Sequence, residues 1–112
     1  MKFYCNLYLD ENVSANKFEI IEKLKNSEWQ LELYIIALSQ NPHNHLEIYN
    51  SALLLQKSFY KRQQMIVGIT RGYNEALELV EKIMKEVYDN TKGTDIKTYI
   101  IEKQRIFEEG NK

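Results

Sequence analysis

The sequence predicts an α/β fold: one small domain with about four strands in a mostly parallel sheet and helices on both faces. Three observations carry this expectation. Segments with strand-like and helix-like hydrophobic periods alternate in the order β-α-β-(α)-β-α-β. Met65–Thr91, MIVGITRGYNEALELVEKIMKEVYDNT, reads as a buried strand, an Arg-Gly turn and a long amphipathic helix. The runs YIIAL and MIVGIT are too apolar to keep a solvated face, as in strands covered on both sides. Without the middle helix the pattern becomes β-α-β-β-α-β, the ferredoxin-like α+β plan, with an insertion at 44–64 and helices on one face.

The elements follow in order. Lys2 to Asp10 alternates, with Phe3, Cys5, Leu7 and Leu9 on one side and Tyr4, Asn6 and Tyr8 on the other, so it reads as a strand. Ser14 is the expected cap of a helix reaching about Asn26. Val13 and Phe18 would form its staple, and Phe18, Ile21 and Leu24 its apolar stripe. A second strand is expected over Trp29–Leu38. The loop SQNPHN, Ser39–Asn44, follows with the only proline. Asn44 and Glu47 resemble a capping box. Leu46, Tyr49 and Leu53, with Ile48, Ala52, Leu55 and Phe59, fall at helical spacings. A helix is therefore expected to about Lys57, although the Leu53–Leu55 run also fits a buried strand.

Met65–Thr70 is the third strand, Gly72 the turn and Asn74 the cap of the next helix. From Glu75 to about Asn90, Ala76, Leu77, Val80, Ile83, Met84 and Val87 make one broad apolar face. Gly93 suits a left-handed cap. Ile96–Ile101 reads as the fourth strand, and 102–112 as a charged, frayed tail.

Size and composition bound the function. The 112 residues leave room for one domain, 1–112, and for a core without disulfides. Hydrophobic residues make up 44% and charged residues 28%, which argues against disorder. Fifteen basic and 16 acidic residues leave a net charge of −1, with no general pull toward nucleic acid or an anionic membrane. No apolar run approaches the ~20 residues that span a bilayer. The opening MKFYCNLYLDE alternates and then turns acidic, unlike a signal peptide. A single cysteine excludes an internal disulfide, and the sum points to the cytoplasm.

Chemistry is thinner. The turn Thr70, Arg71, Gly72, Tyr73, Asn74 opens a helix, whose N-terminus presents free N–H groups to an anion, and Arg71 adds a charge. GITRGYNE is neither a Walker A loop nor GxGxxG, because its glycines at 68 and 72 are four apart. In a parallel sheet, Asp10 and Glu11 would share one carboxyl edge with this turn and with Ser39, Asn41 and His43. In the ferredoxin-like plan the set splits between two ends. His43 and His45 are two ligands where zinc needs three or four, so no metal or cofactor is expected. Cys5 reads as a buried, inert thiol, and no GxSxG, CxxC or HExxH is present. KSFYKRQQ, residues 57–64, mixes basic and aromatic residues as single-strand binders do, but nothing extends the patch.

The sequence thus leads to a non-enzymatic protein-interaction module that self-associates. The eight tyrosines, the mixed-sign charge and the lack of a catalytic set motivate this expectation. The alternative is a small-molecule or nucleotide/phosphate-binding protein that takes an anionic ligand at 70–74.

Overall fold

The computed structural model describes residues 2–55 and 64–110. The elements are β1 (Lys2–Leu9), α1 (Glu11–Ser14), α2 (Lys17–Lys25), β2 (Leu33–Leu38), β3 (Leu46–Asn50), a 3-10 turn (Ser51–Leu55), β4 (Met65–Arg71), α3 (Tyr73–Thr91) and α4 (Ile96–Gly110). Among the described residues the strands form one sheet in the order β1-β4-β2-β3. β4 is parallel to β1 and antiparallel to β2, and β3 is antiparallel to β2. The sheet is therefore mixed, not mostly parallel.

The cause lies in the connection from β1 to β2. Asp10, which ends β1, accepts a hydrogen bond from Arg71 N at 2.9 Å. Glu32, which precedes β2, accepts one from Gly72 N at 2.7 Å. The α1–α2 bracket thus leaves and re-enters at the same end of the sheet, so β2 must run back down. Ser27 and Glu32 make the return with positive φ, 61° and 54°, a conformation that non-glycine residues rarely adopt.

Both faces are covered. Val13 of α1 and Ile20 and Leu24 of α2 pack on Leu33, Ile35, Ile66 and Ile69. On the other face, Ala76, Leu79, Ile83 and Val87 of α3 and Ile96 and Ile100 of α4 pack on Tyr4, Ile36, Leu38 and Val67. The central strands β2 and β4 are buried on both sides, as their continuous apolar runs require.

Several expectations are corrected. The middle helix from 45 is instead strand Leu46–Asn50 followed by the 3-10 turn, and its end at 56–57 lies outside the described residues. Ile96–Ile101 is the start of a helix, not a fourth strand, and that helix continues to Gly110 where a frayed tail was expected. Asp95 fixes its start by accepting from Thr98 N at 3.1 Å and Thr98 Oγ1 at 2.8 Å. β2 begins at Leu33 rather than Trp29, because 29–32 form the return.

Asp10, not Ser14, caps the first helix, by accepting from Val13 N at 2.8 Å. Phe18 is 87% exposed, so it neither staples nor joins the core stripe. Cys5 is not on the face of Phe3 and Leu7: it packs with Tyr4 against the α3–α4 core. The irregular register of β1, in which Phe3 pairs with Ile66 and Tyr8 with Gly68, breaks the alternation there. Gly72, not Asn74, is the residue before α3, and Lys92, not Gly93, takes the left-handed position at its end.

The core face of α3 is rotated from the expected one. Leu79 is buried, whereas Leu77 and Met84 stay 43% and 50% exposed. Two features set this rotation. A Cβ on Gly68 would stand 3.3 Å from Leu79 Cδ2, so the glycine makes room for Leu79 against β4. On one flank of α3, Glu86 receives hydrogen bonds from the phenols of Tyr8 on β1 and Tyr99 on α4.

Candidate functional site

The expected site residues divide between the two ends of the sheet. Asp10 and Thr70–Asn74 meet at the end where β1 and β4 finish. Asn41 and His43 follow β2, which runs the other way, and so lie at the opposite end. Ser39 lies with them, and Glu11 begins α1 beside Asp10.

The Asp10 end is internally hydrogen-bonded. Asp10 Oδ1 holds Val13 N and Oδ2 holds Arg71 N. Arg71 Nη1 donates to Leu31 O at 2.9 Å. Gly72 N donates to Glu32 O, and buried Thr70 donates from Oγ1 to Gly72 O at 3.1 Å. Gly72 has φ 100° and ψ 144°, a conformation reserved for glycine. The Glu75 carboxylate folds back over it, into the space a Cβ would take. The positive end of the α3 dipole therefore already faces a carboxylate. The exposed Tyr73 ring meets Tyr34 edge-on at 5.6 Å.

At the opposite end the loop after β2 folds on itself. Asn41 N donates to Ser39 Oγ at 3.0 Å, and His43 N to Asn41 Oδ1 at 2.9 Å. Lys97 Nζ of α4 donates to Asn41 O at 2.7 Å. His45 Nδ1 stands 3.9 Å from Asp95 Oδ1. The Thr98 N–H and hydroxyl hold the Asp95 carboxyl below its usual range, with a smaller contribution from His45. Among the described residues no group of three His, Cys, Asp or Glu side chains is placed to hold a metal ion. The basic–aromatic stretch at 57–63 lies outside the described residues.

Two polar clusters escaped the sequence reading. Glu47 accepts from Ser39 Oγ at 2.8 Å, from the Tyr49 phenol and from Gln64 Nε2 at 3.2 Å. Glu86 accepts from Tyr8 and Tyr99 as above. Burial pushes the Tyr4 phenol up to about 12, and raises that of Tyr8 further, helped by its bond to Glu86. The spacing of Tyr4 and Tyr8, whose rings stack at 6.1 Å, was the available signal for the second cluster. In the first cluster only Glu47 and Tyr49 share an element, two apart on β3; Ser39 and Gln64 lie outside that strand, and no spacing encodes their approach.

The surfaces are more distinctive than the pockets. On the flank of α3 opposite Glu86, Tyr73, Leu77, Met84 and Tyr88 form an exposed apolar stripe. It runs beside β2 and toward β3, whose Leu46 and Ile48 are only partly buried against the same core. A groove of about 330 Å³ lined by Met84, Lys85, Tyr88, Thr94 and Ile96 continues it. The two outer strands differ. β1 is irregular, and its Cys5 N donates to Gln104 Oε1 of α4 at 2.7 Å. β3 is regular and pairs with β2 without a break. Among the described residues no helix is long and apolar enough to cross a membrane.

No family model matches the chain, and neither a curated protein nor a solved structure matches it.

Proposed function

We propose that the protein is a non-enzymatic interaction module that associates with itself. The observation that carries this reading is the exposed apolar stripe Tyr73–Leu77–Met84–Tyr88, on the flank of α3 turned away from β1, with Tyr73 against Tyr34 of β2. A contiguous exposed apolar patch marks a surface that another molecule covers. Light scattering over a wide concentration range tests the reading. A mass that rises to a whole multiple of the chain supports it, and a strict monomer throughout overturns it.

An anionic ligand at 70–74 is the second reading, supported by the meeting of Asp10 with Arg71 and Gly72. The engaged N–H groups and the Glu75 carboxylate favour the first reading over it. Thermal shifts with nucleotides and sugar phosphates test it. Stabilisation that Arg71→Ala abolishes supports the ligand, and no stabilisation by any of them removes it.

A further inference from the structure

We infer that self-association runs through β3, which pairs with β3 of a second copy as antiparallel strands about a two-fold axis at Ile48. The inference rests on the self-association proposed above and adds the surface, the partner and the register.

The backbone geometry defines the available edge. Ser39 N donates to His45 O at 2.9 Å, so 39 and 45 are a hydrogen-bonded pair. The β2–β3 register then makes Ala37–Glu47 and Ile35–Tyr49 the next such pairs, because hydrogen-bonded and non-hydrogen-bonded pairs alternate. The other side of β2 agrees. Glu32–Gly72 is hydrogen-bonded toward β4, which assigns the even residues Tyr34 and Ile36 to β4 and leaves the odd residues for β3. Glu47 and Tyr49 therefore spend their N–H and C=O on β2. Those of Leu46, Ile48 and Asn50 point away from the sheet, and no backbone bond to them from outside the strand is found among the described residues.

The contrast with β1 matters. Proteins blunt exposed edges with bulges, lysine, proline or a covering element. β1 is interrupted by its bulge, and α4 lies beside it with Gln104 on Cys5 N and Glu108 paired to Lys2 at 2.6 Å. The β3 sequence, LEIYN, contains no lysine, proline or glycine and no bulge.

The strand is also complementary to itself. An antiparallel pair centred on Ile48 sets Ile48 against Ile48, Leu46 against Asn50 and Glu47 against Tyr49 of the second copy. All three outward-facing residues then fall at hydrogen-bonded positions, and each carboxylate lies opposite a phenol. Glu47 and Tyr49 already form that kind of bond within one strand. Five residues span roughly 17 Å, too little for a stable contact alone. Because paired strands share one sheet, the two-fold places both α3 stripes on the same face. There they flank Leu46 and Ile48 of both copies and enlarge the apolar contact.

Amide hydrogen exchange read against protein concentration, beside light scattering, tests this. At low concentration Glu47 and Tyr49 amides are expected to be slow and those of Leu46, Ile48 and Asn50 fast. As the dimer forms, the latter three slow by more than about tenfold. Ile48→Pro removes an outward N–H and leaves the bonds to β2, so it is expected to stay folded by circular dichroism and to lose the dimer mass. If a dimer forms while those three amides stay fast, the β3 pairing is overturned and self-association stands. A strict monomer overturns both. The exchange readout on the unmodified chain decides the matter even if the proline variant does not fold.

Discussion

The side-chain carbonyl of Gln104 accepts a hydrogen bond from the backbone N–H of Cys5 at 2.7 Å, across ninety-nine positions of sequence. It satisfies a donor that the bulge in β1 leaves without a strand partner, and it fastens α4 to the sheet edge. Gln104 is itself buried. Replacing it with Leu keeps the volume and orphans the Cys5 N–H. The expected cost is about 1–3 kcal/mol in denaturant unfolding, the penalty of one buried unsatisfied group. A cost near zero would mean that water reaches that amide.

Gly72→Ala is expected to cost about 1–3 kcal/mol, because φ near 100° is strained for any residue with a Cβ. The new methyl also displaces the Glu75 carboxylate from its place over the turn. The companion Gly72→Ala/Glu75→Ala separates the two effects. If the double variant regains most of the lost stability, the clash dominates and the backbone strain is small.

Stability at alkaline pH follows from Tyr4 and Tyr8. Burial raises both phenols, Tyr4 to about 12, so the folded state favours the protonated form. Their contribution is fully present below the unfolded phenol range near pH 10 and is lost as pH rises through the folded value. Tyrosinate absorbance is expected to resolve an early class among the eight tyrosines and a late class containing Tyr4 and Tyr8. The late class titrates together with loss of the circular dichroism signal. If every tyrosine ionises near pH 10 with the fold intact, the burial of this pair is wrong.

What was legible in the sequence was local. Met65–Arg71 and the helix after it were readable because one strand-like run, one glycine turn and one long amphipathic period lie side by side. The direction of β2 was not, because it depends on where 26–32 returns, and Ser27 and Glu32 make that turn with positive φ that no glycine announces. LEIYN fits two periods, and only pairing with β2 decides for strand. α4 reads as a strand in the sequence because TYII is short and apolar. Its true stripe, Ile96, Ile100 and Gln104, includes a buried polar residue that a hydrophobic count passes over. At the candidate site, Asp10 and Arg71 meet because β1 and β4 run parallel, and their separation from Asn41 and His43 is a matter of the direction of β2.

The rotated face of α3 gives the last prediction. Leu77 and Leu79 are two residues apart and chemically identical, yet one borders solvent and the other fills the space above Gly68. Leu79→Ala is expected to cost about 2–5 kcal/mol, since it opens a cavity against Ile36 and β4. Leu77→Ala is expected to stay within about 1 kcal/mol in the monomer, where its side chain has little to lose. Measured at concentrations where copies associate, the order changes in character. On the proposed self-association, Leu77→Ala then weakens association without lowering the monomer's unfolding midpoint, because its exposed side chain would lie in the contact. A larger monomer cost for Leu77→Ala than for Leu79→Ala would show that the helix packs on the face the hydrophobic pattern alone suggests.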